Sequence, residues 1–389
     1  MRMQTETLGS ICTRISSGGT PSRKRTEYFT PDVSGHLWVK SKELLDGSIN
    51  DTEEKITDEG LNNSSAKYYP ENTVLVAMYG ANVGQLGWLR RPATVNQAIC
   101  GLVVDDNKAD WRYVFYAILQ NRGDLTVQAQ GAAQQNLNQD MIRQFSVLLP
   151  PLPDQRRIAS ILSAYDELIE NNQRRIRILE DMARSLYREW FVHFRYPSHE
   201  SAPLVDSPPG QIPQGWEVKK LGDVLELKYG KALKKENRLD GNIPVFGSSG
   251  IVGQHDTALV KGPGIVVGRK GNVGSVFWCD EDFFVIDTAY FVTAKLPLRF
   301  LYYDLQTKNF INNDAAVPGL SRHQAYSLET VVPPDPLLEQ FCQLAEGFEQ
   351  QASTLRKQTA NLRRTRDLLL PRLLSGQITL QDIPAEATS

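Results

Sequence analysis

Cysteine is scarce: Cys12, Cys100, Cys279 and Cys342 are dispersed over 389 residues, with no Cys-x-x-Cys pair and no Cys/His cluster. That spacing excludes a zinc ribbon or a disulfide framework, and the four read as buried reduced thiols. Long hydrophobic runs are lacking too. No stretch of about 18 apolar residues occurs, and Met1 to Gly9 has no apolar signal core, so a cytoplasmic chain without membrane contact is expected. Nor is there charge of one sign. With a net charge of −2, any surface for a polyanion must be local. The five histidines, His36, His193, His199, His255 and His323, have no metal-ligand spacing, and no metal centre is expected.

Catalytic signatures are equally sparse. The Pro-Pro pairs follow Leu149, Ser207 and Val332, not the Asn or Asp of an amino-methyltransferase element. No Gly-x-x-x-x-Gly-Lys-Ser/Thr loop, Gly-x-Gly-x-x-Gly turn or Gly-x-Ser-x-Gly elbow is present, and Gly262 to Gly274 reads as strand-and-turn punctuation. One nuclease-like set exists, Asp32 with Glu53 and Lys55, two carboxylates and a lysine that could hold Mg²⁺ and a water. Its residues are common surface types and its spacing is permissive, so a solvated strand-turn segment is the plainer account.

What the chain does have is two long amphipathic stretches. From Pro153 to Pro197, Leu162, Tyr165, Ile169, Asn172, Ile176, Leu179, Ala183, Leu186 and Trp190 alternate at steps of three and four, a coiled-coil seam. Asp154 is the expected N-cap, and Arg195-Tyr196-Pro197 the stop. Near the C-terminus Phe341, Phe348, Leu355, Leu362 and Leu369 recur every seven residues, with Leu344, Gln351, Gln358 and Thr365 as the intervening positions. This second helix opens after Pro333-Pro334-Asp335-Pro336 and stops at Ser375-Gly376. A helix of about forty residues is about 60 Å long and needs a partner. The two are expected to pair antiparallel, the alternative being two helices packed on separate domains. Asn172 is a polar residue at a seam position, of the kind that fixes register. Arg356, Lys357, Arg363, Arg364, Arg366 and Arg372 are expected on a solvated or partner-facing side.

The globular stretches repeat. Leu75 to Gly84 followed by Trp88 aligns with Ile265 to Gly274 followed by Trp278, sharing Asn-Val-Gly at an offset of 190 residues (Asn82 to Asn272). Ala132-Ala133 with Leu137 aligns with Ala315-Ala316 and Leu320 at an offset of 183. Strands are expected at Val74 to Met78 and Gly264 to Gly268, helices at Trp111 to Leu119 and Phe300 to Leu305. The order is module, helix, module, helix, a diverged internal duplication. The expected division is 1–150, 151–197, an exposed Pro/Ser/Gly-rich linker 198–214, then 215–335, 336–376 and a tail 377–389.

Polyanion-binding features lie in the modules. Lys219, Lys220, Lys228, Lys231, Lys234, Lys235 and Arg238 cluster around Tyr229, and Gly18 to Arg25 reads as a flexible basic loop. Clustered cations displace counterions from phosphates. The loop Gln128 to Gln139 is rich in amides suited to adenine, whereas Asn312 to His323 carries Ser321, Arg322 and His323. Solvated polar loops are the plain alternative.

These residues resemble a known family, the specificity subunits of type I restriction-modification systems. The resemblance is carried by Pro150-Pro151-Leu152-Pro153-Asp154-Gln155-Arg156-Arg157-Ile158-Ala159, Leu168-Ile169-Glu170-Asn171-Asn172, Leu186 to Arg195, Ile243 to Ile251 and Leu369 to Gly376. It implies an α+β fold with two globular mixed α/β target recognition domains joined by two long antiparallel coiled-coil helices in a pseudo-two-fold repeat. It further implies a non-catalytic reader of a bipartite, asymmetric double-stranded DNA site. Two methyltransferase subunits and restriction/translocase subunits are the implied partners, with S-adenosylmethionine, ATP and Mg on those partners and no cofactor in this chain. Candidate DNA contacts are Thr20, Ser22, Arg23, Lys24, Tyr79, Asn82, Gln134, Gln135, Asn136 and Asn138 in the first module. In the second they are Tyr229, Lys231, Lys234, Lys235, Ser248, Ser249, Arg269, Lys270, Asn272, Ser321, Arg322 and His323. The seam residues are the expected spacer and partner-docking positions. A self-sufficient Mg-dependent nuclease and a coiled-coil scaffold without DNA function are the competing readings.

Overall fold

A computed structural model describes residues 3–130, 136–310 and 319–378. The chain forms two compact units, one from Met1–Asn172 with Lys357–Ser389, the other from Gln173–Arg356.

In the first unit β1 (Cys12–Ser17), β2 (Gly47–Ile49), β3 (Val74–Ala77), β4 (Leu86–Leu89) and β5 (Ile99–Val104) make a sheet in the order β1-β5-β3-β4-β2. All four residues of β3 are buried. Its alternation divides them between two cores: Val74 and Val76 join Leu102 and Tyr113, while Leu75 and Ala77 join Val39 and Tyr69. An unbroken aliphatic run is what a strand covered on both faces requires. Helix α1 (Trp111–Gln120) covers one face and is N-capped by Asp110, whose carboxylate accepts from the Arg112 and Tyr113 amides. Gln4–Thr7 pairs antiparallel with Ser146–Leu149, bringing the start of the chain beside the strand that leads into the first long helix, α2 (Leu152–Tyr187).

The second unit repeats this plan. β6 (Leu225–Tyr229), β7 (Gly264–Gly268), β8 (Val276–Cys279) and β9 (Ala289–Ala294) are antiparallel in the order β6-β9-β7-β8, matching β1-β5-β3-β4. Ile265 and Val267 enter one core and Val266 the other. α3 (Leu298–Thr307) stands where α1 does, and Glu217–Lys220 pairs with Glu329–Val332 before the second long helix, α4 (Asp335–Leu374). The duplication read from the Asn-Val-Gly motif therefore extends to strand order. The stretch expected as an exposed linker is partly folded: Leu204–Ser207 and Gly210–Pro213 form a hairpin that buries Ile212. Pro208, Pro209 and Gly210, which suggested a linker, sit at its turn, where Gly210 has φ +123.

Both long helices form, with corrections to their ends. Asp154 is not the cap of α2; the amides of Asp154 and Gln155 donate to the Pro151 carbonyl at 2.9 and 3.1 Å, and Leu337 and Leu338 do the same to Pro334 at 3.0 and 3.2 Å. The doubled prolines set both starts, since proline tolerates the first turn, where amides lack helical partners. α2 widens into a π turn at Arg188–Val192 and ends by Phe194 (φ 57); α4 closes on Gly376 (φ 73).

The seam of α2 is buried or half-buried at every expected position, Asn172 included at 7% exposure. In α4 the seven-residue spine faces inward, but the intervening positions are Ala345, Ala352, Thr359 and Arg366, while Leu344, Gln351 and Gln358 are exposed. Hydropathy favours Leu344; packing favours the small side chains one residue on, which let two helices approach closely. Within the first unit Ile158 and Leu162 of α2 share a core with Leu370 and Leu373 of α4. Within the second, Ala183 and Tyr187 pack with Phe341 and Ala345, so the helices run antiparallel in each unit. Of the arginines expected on a solvated or partner-facing side, two reach the facing helix: Arg366 pairs with Asp166, and Arg356 with Glu180 at 2.7 Å while also pairing with Glu349 of its own helix at 2.5 Å. Lys357, Arg363, Arg364 and Arg372 are exposed. Among the described residues no helix is long and apolar enough to cross a membrane.

Candidate nucleic-acid interface

Antiparallel pairing places the end of β1, the start of β5, the end of β3 and the start of β4 at one edge of the first sheet. The connections 18–25, 78–85 and 96–98 gather there. Residues 136–139 join them because the Leu137 amide donates to the Met78 carbonyl at 2.7 Å. In the second unit the connections 230–242, 269–275 and 286–288 gather at the corresponding edge, and the Leu320 amide donates to the Arg269 carbonyl at 2.8 Å. Most of the sequence-derived candidates fall on these two edges.

On the first edge the chain leaves β1 through Gly18, where a Cβ would stand 1.9 Å from the Val95 carbonyl oxygen, so only glycine passes. The Thr20 hydroxyl donates to the Gln97 side chain and the Tyr79 hydroxyl to the Gln97 carbonyl at 2.7 Å. The basic loop is held at Arg23. Arg23 pairs with Glu54 at 2.6 Å and its guanidinium lies 4.4 Å from the Phe29 ring and 5.0 Å from that of Trp38, whose indole donates to the Gly19 carbonyl. Ser22 and Lys24 are exposed. Asn82 ties its loop to the Ser41 carbonyl at 3.2 Å, and Asn138 caps the short helix Gln139–Gln144 by accepting from the Met141 amide. Asn136 is half-buried beside them, and the Gln139 amide donates to the Ser17 hydroxyl at 2.9 Å. Gln134 and Gln135, like Ala132-Ala133 and Ala315-Ala316, lie outside the described residues.

The second edge is cationic. Tyr229 is flanked by two guanidiniums, Arg269 at 4.9 Å and Arg322 at 4.5 Å from its ring, with the Tyr290 ring at 5.0 Å. Hydrogen bonding with Tyr290, backed by the charges of Arg322 and Arg269, holds the Tyr229 phenol below its usual value, while burial pushes that of Tyr290 up to about 12. Arg269 is anchored by donating to the Asp287 carbonyl at 3.0 Å. Lys231, Lys234, Lys235 and Lys270 are exposed and, among the described residues, make no ion pair. Ser248 is buried and its carbonyl accepts from the Ser275 hydroxyl at 2.6 Å; the exposed Ser249 meets the Asn272 amide at 3.5 Å. Ser321 and His323 are exposed on either side of Arg322. The first edge thus combines neutral donors and acceptors with cations of which Arg23 and Arg25 are paired to carboxylates, while the second presents guanidinium and ammonium groups that make no ion pair among the described residues. Ser17, Gln97, Asp287 and Tyr290 belong to these clusters yet were not singled out from sequence; strand register, which decides what lies at a sheet edge, would have found them, whereas Gln139 was visible as the end of the amide-rich loop Gln128 to Gln139.

The nuclease-like set is not assembled. Lys55 pairs with Asp51 at 3.1 Å, Glu53 with Lys40 and Lys42 at 2.6 Å each, and Asp32 is exposed in a turn. These are ion pairs between neighbouring turns. No group of three or more His, Cys, Asp or Glu suited to a metal exists among the described residues.

Comparison with known proteins agrees with the architecture. The MjaIX type I restriction enzyme specificity subunit of Methanocaldococcus jannaschii is 24% identical over 95% of this chain and 92% of its own. The MjaVIII specificity subunit of the same organism is 21% identical over 93% and 90%. The crystal structure of a type I restriction-modification S subunit from M. genitalium superposes with a TM-score of 0.61 at 18% identity, covering 96% of each chain, a likeness of fold. The sequence profile of the type I restriction modification DNA specificity domain matches residues 2–181 and 213–335, most of both units. With its doubled sheet plan, its paired helices and that match, the chain belongs to the type I restriction-modification DNA specificity family.

Proposed function

We propose that this chain is the DNA-reading, non-catalytic subunit of a cytoplasmic type I restriction-modification complex, and that it reads a bipartite, asymmetric double-stranded site. The observation that carries this is the pair of related sheet edges bearing different chemistry. The first edge offers Thr20, Tyr79 and Gln97 as hydroxyl and amide groups, and the second offers Tyr229 with the guanidiniums of Arg269 and Arg322, so the two edges suit different base sequences and the two half-sites differ. Lys24, Lys231, Lys234, Lys235 and Lys270 supply sequence-independent phosphate attraction. α2 and α4 separate the readers and dock two methyltransferase subunits, through which restriction/translocase subunits join; S-adenosylmethionine, ATP and Mg are bound by those partners.

The test is single-molecule sequencing of methylated adenines in cells with and without this chain beside its methyltransferase partner. A split, non-palindromic motif that vanishes with the chain is the expected result. An unchanged methylation pattern would refute the reading, as would Mg-dependent cleavage by the purified chain that Lys55→Ala abolishes.

A further inference from the structure

The internal repeat superimposes more than strands, and its finer register assigns a shared position to two side chains at the sheet edges. The amides of Gly18 and Gly230 donate to Ile99 and Ala289, the first residues of β5 and β9, at 3.2 Å each. Ser17 and Tyr229, the residues before those glycines, are therefore equivalent. The ladders agree, since Ser17 faces Cys100 and Tyr229 faces Tyr290. The offset of 183 that relates Leu137 to Leu320 also relates Gln139 to Arg322, the first residues of the short helices Gln139–Gln144 and Arg322–Ser327. In each unit these two equivalent positions touch. The Gln139 side-chain amide donates to the Ser17 hydroxyl at 2.9 Å, and the Arg322 guanidinium lies over the Tyr229 ring, 4.5 Å from its centroid.

Each contact fixes a side chain while leaving groups to spare. Gln139 uses one amide hydrogen on Ser17, which leaves the second hydrogen and the carbonyl oxygen, the pair that matches the N7 and N6 edge of adenine. Arg322 lies over the Tyr229 ring and engages its phenol with one N–H, which leaves further donors of the guanidinium fork, the kind that match O6 and N7 of guanine. Tyr229 is 47% exposed, so the stack is open to a ligand. Arg269, the other guanidinium near the ring, is anchored to the Asp287 carbonyl, whereas Arg322 has no backbone anchor among the described residues.

The geometry points to Gln139 and Arg322 as one specificity-determining position used twice: Gln139 reads an adenine in the first half-site and Arg322 a guanine in the second, with Ser17 and Tyr229 as their positioning residues. This rests on the DNA-reading function proposed above and adds to it a base for each half.

The experiment uses the full chain in complex with its methyltransferase partner, assayed for methyl transfer to duplexes carrying the mapped motif with each base pair altered singly. Wild type should prefer guanine at one position of one half by roughly tenfold to a hundredfold. Arg322→Ala should bring that preference near one and leave every other position unchanged. Arg322→Gln should favour adenine there, and Tyr229→Leu should weaken the guanine preference while Arg322 is intact. Gln139→Ala should relax one adenine in the other half. A uniform loss across all duplexes, the mark of a phosphate contact, or an unchanged selectivity profile would overturn the assignment. Should Arg322→Ala be inactive, Arg322→Lys decides: a selectivity profile identical to wild type refutes base reading, and a weakened preference at the one guanine supports it. Failure of the wild-type complex to methylate any split motif would instead refute the underlying function.

Discussion

At the scale of the residue, the two sheet edges separate charge from shape. Lys234 is exposed and makes no ion pair among the described residues, so Lys234→Ala is expected to weaken DNA binding alike on all sequences and to lower the log-log salt slope by about 0.9, measured by titration at several salt concentrations. That outcome is the opposite of the single-base effect expected at Arg322. Gly230 serves shape. A Cβ there would stand 2.1 Å from the Ile286 carbonyl oxygen, so Gly230→Ala is expected to cost about 1–3 kcal/mol in thermal or denaturant unfolding and to displace Tyr229. The thiols give a reagent test of the core. Cys100 and Cys279 are buried as expected, whereas Cys12 and Cys342 are half-buried. Burial pushes the fully enclosed Cys100 up to about 12, so it should not be alkylated at pH 8 until the chain is unfolded, as mass spectrometry would show.

At the scale of the element, the phase of the α4 seam is the sharpest point. Ala352 is 1% exposed and Leu344 42% exposed, although a hydropathy reading ranks them the other way. Ala352→Leu is therefore expected to destabilise by about 1–3 kcal/mol, and Leu344→Ala by no more than about 0.5 kcal/mol, in denaturant titrations. The reverse order would restore the phase expected from sequence. The same element shows what a sequence can yield. The α2 seam was legible because Leu162, Ile169 and Ile176 are large, and the spine of α4 because Phe341, Phe348 and Leu355 recur every seven residues. Its other half was not, because Ala345 and Thr359 acquire meaning only against a facing helix, and Arg366 is inward only because Asp166 faces it. At the sheet edges the Asn-Val-Gly turns and the basic clusters were visible. The clamping of Arg23 by Glu54, Phe29 and Trp38 was not, since those partners are 31, 6 and 15 residues away and meet only after strand pairing.

At the scale of the whole molecule, the proposed function makes the two halves interchangeable and assigns the spacer of the site to the length of the helices. Inserting one heptad after Ile176 and another after Leu355 is expected to lengthen the unspecified spacer of the methylated motif and leave both half-sites unaltered; changed half-sites would contradict the spacing role of the helices. Replacing residues 215–335 with the matching segment of another family member should change one half-site alone. The discontinuity of the first unit has a consequence for biosynthesis. Its core is closed by Leu370, Leu373 and Leu374, whereas the second unit is one uninterrupted segment. At about 5–20 residues per second a ribosome takes roughly 10–40 s to travel from Leu162 to Leu370, 208 residues later (370 − 162). During that interval Ile158 and Leu162 lack their cover, so the half made first is the half finished last. A transcript cut short before Leu370 would leave that nascent core open to chaperones and proteases.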